Sequence, residues 1–333
     1  MTKIGYNVGT LLTHQQVLSF SELSENNSNT HSLWVPESWG REVFSTLGAL
    51  SQVTKKVKLG TSIASIFSRT PATMAMGSLT MDYLSNNRFI LGLGVSTPAI
   101  VENLHGLNYK NPLEKISEYV ECIRRLVSGN KITYNGRHYK IDNFKIGLTP
   151  NRFETPIYLA AINKKMIELS STIADGIILY LKPISILEKT VSLIKNNIEQ
   201  STRNKNRNFE ICSVFITSIS NQDPHSARLR AAKTLAFYTA VGKFYNKFLS
   251  KNGFKNEVDN ILNHYTNNGL EGLEQHISEK MLEELTVCGT GEEARKKLSK
   301  IIDSGITLPI IQLNPLDKTE NSIKEILSSF SPD

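Results

Sequence analysis

Residues Lys56–Pro98 read KVKLGTSIASIFSRTPATMAMGSLTMDYLSNNRFILGLGVSTP, and this stretch decides the fold. Val57–Ile63 is an apolar run ending in small polar residues, the pattern of a strand buried on both faces. Pro71 opens a segment with Met74, Met76, Leu79, Met81 and Leu84 near helical spacing. Proline in a first turn sacrifices no hydrogen bond, because that N–H has no intrahelical partner. Ser85-Asn86-Asn87 is a turn cluster, and Arg88–Val95 is a second apolar strand. Both strands finish in small or hydroxyl-bearing residues, at the edge where ligands gather in parallel α/β folds.

The same alternation extends outward. Upstream, Lys3–Val8 and Ser32–Pro36 read as strands, with helices over Thr13–Leu23 and Glu42–Lys55. Downstream, Pro112–Leu126 is a strongly periodic helix. Strands follow at Ile157–Ala161, Gly176–Leu179, Phe209–Ile219 and Thr307–Leu313. Helices lie between and after them: Lys164–Ile173, Ser185–Ser201, one long helix Pro224–Phe248, Glu292–Ser304 and Ser322–Phe330. Eight strands alternating with helices predict an α/β protein with a single (β/α)8 TIM barrel spanning residues 1–333. A hairpin insertion falls over about 131–146, where Asn135-Gly136 supplies the turn, and a helical insertion over about 249–285. An open doubly wound sheet would show GxGxxG after its first strand, whereas Gly5 and Gly9 lack that spacing.

Apolar residues make up 40% and charged residues 21% of the 333, which is ample material for one core. The formal charge of +7 comes from scattered residues, the densest clusters being Lys164-Lys165, Arg203–Arg207 and Arg295–Lys300. A solvated basic surface accounts for that distribution, so neither nucleic acid nor membrane is expected as a partner. Cys122, Cys212 and Cys288 are odd in number and far apart, which excludes a disulfide framework or a zinc site. A cytoplasmic location is the expectation, since no leader pattern or long apolar run is present.

Several positions could carry chemistry. Thr61, Ser62 and Ile63 close a strand with little bulk, so backbone there could approach a flat ring. Gly94, Ser96 and Thr97 offer close approach and hydroxyls after LGLG, although a simple turn through the hydroxyls would look the same. Ala161, Ile162, Asn163 and Lys164 pass from strand to helix, where free N–H groups and the helix dipole favour an anion such as a cofactor phosphate. Glu37 is a candidate acid, base or polar anchor, and Trp39 a candidate wall of a substrate cleft. Tyr6 and Asn7 end the first strand and could face that cleft, and His105 is the one histidine nominated for chemistry.

The pieces LWVPESWGREVF (Leu33–Phe44), LGTSI and SRTPA (within Leu59–Ala72), MDYLSNNRF (Met81–Phe89) and LGLGVSTP (Leu91–Pro98) resemble the luciferase-like monooxygenase superfamily. Further matches are His105-Gly106, EYVECIRRLVSG (Glu118–Gly129), PIYLAA (Pro156–Ala161) and ADGIIL (Ala174–Leu179). The likeness is greatest to the deazaflavin branch typified by methylenetetrahydromethanopterin reductase. It implies a barrel that binds coenzyme F420, with FMN as the alternative cofactor. It also implies a non-prolyl cis peptide at Ser62–Ile63 backing the ring, a small-molecule or pterin-type substrate, and a homodimer. The sequence departs from the branch in places. Ser38 and Pro98 stand where sugar-phosphate dehydrogenase members carry a histidine and a glutamate, and Tyr6-Asn7 where the reductases carry a carboxylate. Ser96 stands where flavin users carry a basic residue, which favours F420 over an FMN-dependent monooxygenase. A barrel that has lost catalysis and acts as a binding or subunit protein is the remaining alternative.

Overall fold

The computed structural model describes residues 3–152, 154–203, 207–317 and 320–331. The middle of the basic loop Arg203–Arg207 therefore lies outside the described residues. In chain order the elements begin with β1 (Ile4–Asn7), α1 (His14–Glu25), β2 (Thr30–Val35), α2 (Val43–Val53), β3 (Lys58–Thr61) and β4 (Ala64–Ser65). Then come α3 (Pro71–Leu84), β5 (Phe89–Gly94), α4 (Pro112–Leu126) and the hairpin β6 (Ile132–Asn135) and β7 (Lys140–Phe144). They are followed by β8 (Ile157–Ala160), α5 (Lys164–Ile173), β9 (Gly176–Tyr180), α6 (Leu187–Gln200) and β10 (Glu210–Ile219). The chain closes with α7 (Pro224–Val241), α8 (Lys243–Leu249), α9 (Lys255–Asn268), α10 (Glu279–Leu285), β11 (Thr286–Gly289), α11 (Gly291–Asp303), β12 (Leu308–Leu313) and α12 (Glu320–Ser328). The fold class is the parallel (β/α)8 barrel, as the alternation of apolar runs predicts.

Contacts divide the chain into two compact units. Unit 2 holds Ser32–Ile178 and Ile194–Glu210. Within it β2, β3, β5, β8 and the start of β9 form a parallel sheet, with Val35 beside Thr61, Gly60 beside Ile90, Leu93 beside Leu159 and Ala160 beside Ile178. Leu33, Leu59, Leu91, Leu93 and Ile157 are fully buried. Each such side chain contributes about 1.5–3 kcal/mol by leaving water. Thr70 caps α3 by accepting the Thr73 N–H, with Pro71 in the first turn as expected. The hairpin β6–β7 is antiparallel, and Glu118 of α4 holds its turn by accepting the N–H groups of Arg137, His138 and Tyr139.

Unit 1 holds Met1–His31, Leu179–Leu193 and Ile211–Asp333. Its sheet runs β11, β10, β12, β1, all parallel. Two sequence expectations need correction here. The expected helix Pro224–Phe248 is broken into α7 and α8 at Gly242, where a Cβ would lie 2.4 Å from the Tyr245 ring. A strand absent from the sequence reading, β11, adds Thr286–Gly289 to the second half of β10. Four residues are too few to show a period. Within the stretch read as a helical insertion lie α9 and α10, with short turns between them.

Among the described residues no helix is long and apolar enough to cross a membrane, and no cluster of His, Cys, Asp and Glu is arranged to hold a metal. Cys122, Cys212 and Cys288 are buried, and none of them forms a disulfide among the described residues.

Candidate functional site

β3 ends at Thr61, and the chain resumes as β4 after a cis peptide bond between Ser62 and Ile63, the position the resemblance implies. The interruption is held on both sides. Ser62 N–H donates to Val35 O at 2.8 Å, Glu37 N–H to Ile63 O at 3.3 Å, and Ile66 N–H to Gly94 O at 3.1 Å. The Thr61 hydroxyl donates to Gly92 O at 2.6 Å and accepts Gly92 N–H at 2.8 Å. That hydroxyl is wholly occupied within the sheet, so Thr61 serves the site through its backbone. A Cβ on Gly92 would lie 1.9 Å from Thr61 O, so only glycine fits there, and one on Gly94 would lie 2.8 Å from the Ile63 side chain, which would have to shift. Ser62 and Ile63 remain half-buried and form a shelf at the carboxyl edge of the sheet.

Beyond β5 the chain turns sharply. Ser96 takes a left-handed conformation (φ 57°), and Thr97 O accepts Val101 N–H at 3.0 Å. Both side chains are half-buried. A single wide turn, Ile100–Leu104, follows, closed by His105 N–H to Ile100 O at 3.2 Å. His105 sits exposed at its end. No hydrogen bond joins it to Glu37 among the described residues. Trp39 is 57% exposed in the loop after β2, as a lip rather than a buried wall.

Glu37 is occupied. Arg69 grips both its carboxylate oxygens at 2.7 Å, and Ser68 donates to Oε2 at 3.0 Å. Arg69 also pairs with Glu42 at the head of α2, stacks over the Phe44 ring, and accepts the Tyr119 hydroxyl on its carbonyl at 2.9 Å. These partners hold the Arg69 guanidinium above its ordinary pKa although burial pulls it down. Such a bidentate, largely desolvated pair is an anchor for the loop, the polar-anchor alternative among the roles read for Glu37. Sequence reasoning missed Arg69, because 32 residues separate the partners.

Asn163 caps α5, its Oδ1 accepting Met166 N–H at 3.0 Å. The first turn carries no acidic residue, and the first-turn N–H groups of an α-helix have no intrahelical partner. Ala161 N–H is used by Ile178 O at 3.1 Å, and Ile162 is half-buried. Lys164 is solvated and loosely paired with Glu168 at 3.7 Å. The anion-binding capacity at this turn therefore lies in backbone amides.

In unit 1, Tyr6 does not serve a cleft. Its buried ring meets Phe20 of α1 edge-on at 5.3 Å, so it belongs to the layer between strand and helix. Asn7, next along the strand and hence on the opposite face, is buried beside Gln312. The same unit holds a group the sequence reading passed over. Lys182, two residues beyond β9, is 4% exposed with Nζ 4.2 Å from the Phe248 ring centroid, and burial lowers its pKa to about 8. Tyr180, Tyr238 and Tyr245 meet edge-to-face in the same cluster. A lysine between Leu181 and Pro183 straight after an apolar strand was the signal available.

Known proteins share this organisation. The sequence profile of the luciferase-like monooxygenases matches residues 29–308. A Mycobacterium tuberculosis protein provisionally named a coenzyme F420-dependent oxidoreductase is 26% identical over 302 residues, covering 84% of this chain and 85% of its own. The 5,10-methylenetetrahydromethanopterin reductase of Archaeoglobus fulgidus is 24% identical over 282 residues, 82% of each chain. The structure of the coenzyme F420-dependent tetrahydromethanopterin reductase from Methanopyrus kandleri superposes with a TM-score of 0.87 at 19% identity, covering 98% of this chain and 97% of that one. At that identity the superposition speaks for the barrel alone.

Proposed function

This chain belongs to the luciferase-like monooxygenase family, and from that premise we propose that it is a coenzyme F420-dependent oxidoreductase acting on a small organic or pterin-type substrate. The observation that carries the reading is the carboxyl edge of the unit 2 sheet. It offers a glycine-lined shelf, two hydroxyls and a helix N-terminus free of acidic residues, with no cation following β5. Relatives named for F420 support the same cofactor.

The residues present fit such a group. Thr61, Ser62 and Ile63 would back a flat ring, and Gly94 keeps that side clear of bulk. Ser96 and Thr97 would donate to polar groups of the ring or its tail, and the first-turn amides of α5 would hold the phosphate at Asn163 and Lys164. When bound, the deazaflavin supplies hydride transfer at its C5. The chain's own part is to position substrate and keep water out, through the Trp39 lip and the loop pinned by Glu37 and Arg69. A homodimer in the cytoplasm completes the proposal, and light scattering on the purified protein tests its oligomeric half.

Titration with F420 and, separately, with FMN decides the main point, followed by fluorescence quenching and thermal shift. Micromolar F420 binding with little response to FMN is the expected result. Preference for FMN would move the protein to the oxygen-using branch, and binding of neither would leave a barrel without this chemistry.

A further inference from the structure

The opposite edge of unit 2 carries a second set of groups that the proposed reaction does not use. A cleft of about 540 Å3 opens where the end of α4, the start of β6, Glu154 ahead of β8 and Arg203 beyond α6 come together. Arg124 and Arg203 line it and share one carboxylate: Arg124 donates to Asp175 Oδ2 at 2.9 Å and Arg203 to Oδ1 at 2.8 Å. Asp175 also accepts Ile157 N–H at 2.9 Å, so its capacity is nearly spent. Glu154 takes Arg203 at 3.2 Å and Arg207 at 2.6 Å on a single oxygen. Lys131 lines the rim and has no carboxylate partner among the described residues. Arg125 lies beside it, held by Glu121 at 2.7 Å and stacked over Tyr134.

Two imbalances follow. Five cations (Arg124, Arg125, Lys131, Arg203, Arg207) meet three carboxylates (Glu121, Glu154, Asp175), a local excess of two positive charges. Three guanidinium nitrogens, Arg124 Nε, Arg124 Nη1 and Arg203 Nε, are buried and find no acceptor among the described residues. Buried donors without acceptors are rare in folded proteins and call for a partner, most of all when they are charged. A helix-dipole role explains only part of the arrangement: Arg124 and Arg125 suit the last turn of α4, yet Lys131 and Arg203 belong to other segments.

We propose that this cleft binds a phosphate group, whose tetrahedral oxygens match the fork of arginine donors and balance the surplus charge. The cleft is larger than one phosphate, so the group is carried either as free inorganic phosphate or as a phosphomonoester. The site is independent of the F420 reading, since none of its residues belongs to the shelf, the β5 turn or the α5 terminus.

The test compares wild type with the rim variant Arg125→Gln/Lys131→Gln, which alters exposed side chains and keeps the Asp175 network. Melting temperature and calorimetric affinity are read with inorganic phosphate, with ribose 5-phosphate and with AMP, against chloride at equal ionic strength. Wild type is expected to gain about 2 °C at ten times the phosphate Kd. The rim variant is expected to melt as wild type without phosphate and to bind phosphate at least tenfold more weakly. Tighter binding of the esters would assign the site to a phosphomonoester, and equal binding to inorganic phosphate. A response no greater than that to chloride, or one that the rim variant retains in full, overturns the proposal. Retention in the rim variant with loss in Asn163→Asp would place the phosphate at α5 instead.

Discussion

The two edges of the unit 2 sheet are built from opposite materials. At the carboxyl edge the chain uses Gly92, Gly94, Ser62, Ser96 and Thr97, and backbone groups do the holding. At the amino edge it uses long charged side chains as stitches. Arg152 reaches Asp82 at 3.0 Å and the carbonyls of Asn87 and Phe89, and Thr155 donates to the same aspartate at 2.6 Å. Arg88 bonds the carbonyls of Ser85 and Thr54, and Arg124 and Arg203 converge on Asp175. One edge is kept small and held by its backbone, while the other fixes where the strands start. Parallel barrels divide function and stability between their ends in this way, and here the division is visible within a single unit.

That contrast can be broken in graded steps. The largest effect is expected from Gly92→Ala, which drives a methyl group into Thr61 O and should cost about 4 kcal/mol in denaturant unfolding. Asp175→Ala at the amino edge should cost about 3 kcal/mol, because two mostly buried arginines lose their shared counter-ion. It should leave F420 affinity within twofold, measured on the fraction that folds.

Asp175 also gives a pH signature. Burial works to raise its pKa, but Arg124, the Ile157 N–H and Arg203 outweigh it and hold the carboxyl below the ordinary value. The folded pKa lies below the unfolded one, so its contribution is present above the unfolded value and is lost as pH falls through the folded one. Acid titration of stability should therefore be flatter in Asp175→Asn than in wild type. Asn163→Asp sharpens the other side of the contrast. Aspartate caps as well as asparagine, so stability should stay within about 0.5 kcal/mol, whereas a negative charge at the helix head should weaken F420 about tenfold. Smallest of all, Thr97→Ala should leave melting unchanged and reduce F420 affinity by about 1 kcal/mol, read by fluorescence titration.

Legibility in the sequence follows the same division. Buried parallel strands are continuous apolar runs, so β2, β3, β5, β8 and β12 could be placed within a residue or two. Ser96, Thr97 and the Asn163 turn were legible because strand ends and helix caps are local events. The charged stitches were not. Glu37 with Arg69, or Arg124 with Asp175 and Arg203, join residues 28 to 51 positions apart, and nothing in local spacing selects one arginine over another. Tyr6 was misread for a related reason: a strand's period says which residues share a face, but not which face meets the helix. Gly242 marked the break between α7 and α8 and was read through as helix.

Arg69 has a mechanical meaning as well as an electrostatic one. Through Glu37, Glu42 and Tyr119 it fastens the segments that follow β2, head α2 and form α4 to the turn leading into α3. Four pieces of chain thus meet at one residue, and the loop before α2 is further tied by Ser68 to Glu37 Oε2 and by Glu37 N–H to Ile63 O. The guanidinium holds Glu37 and Glu42 while the main-chain carbonyl of the same residue takes the Tyr119 hydroxyl, so side chain and backbone of one arginine tie these segments together.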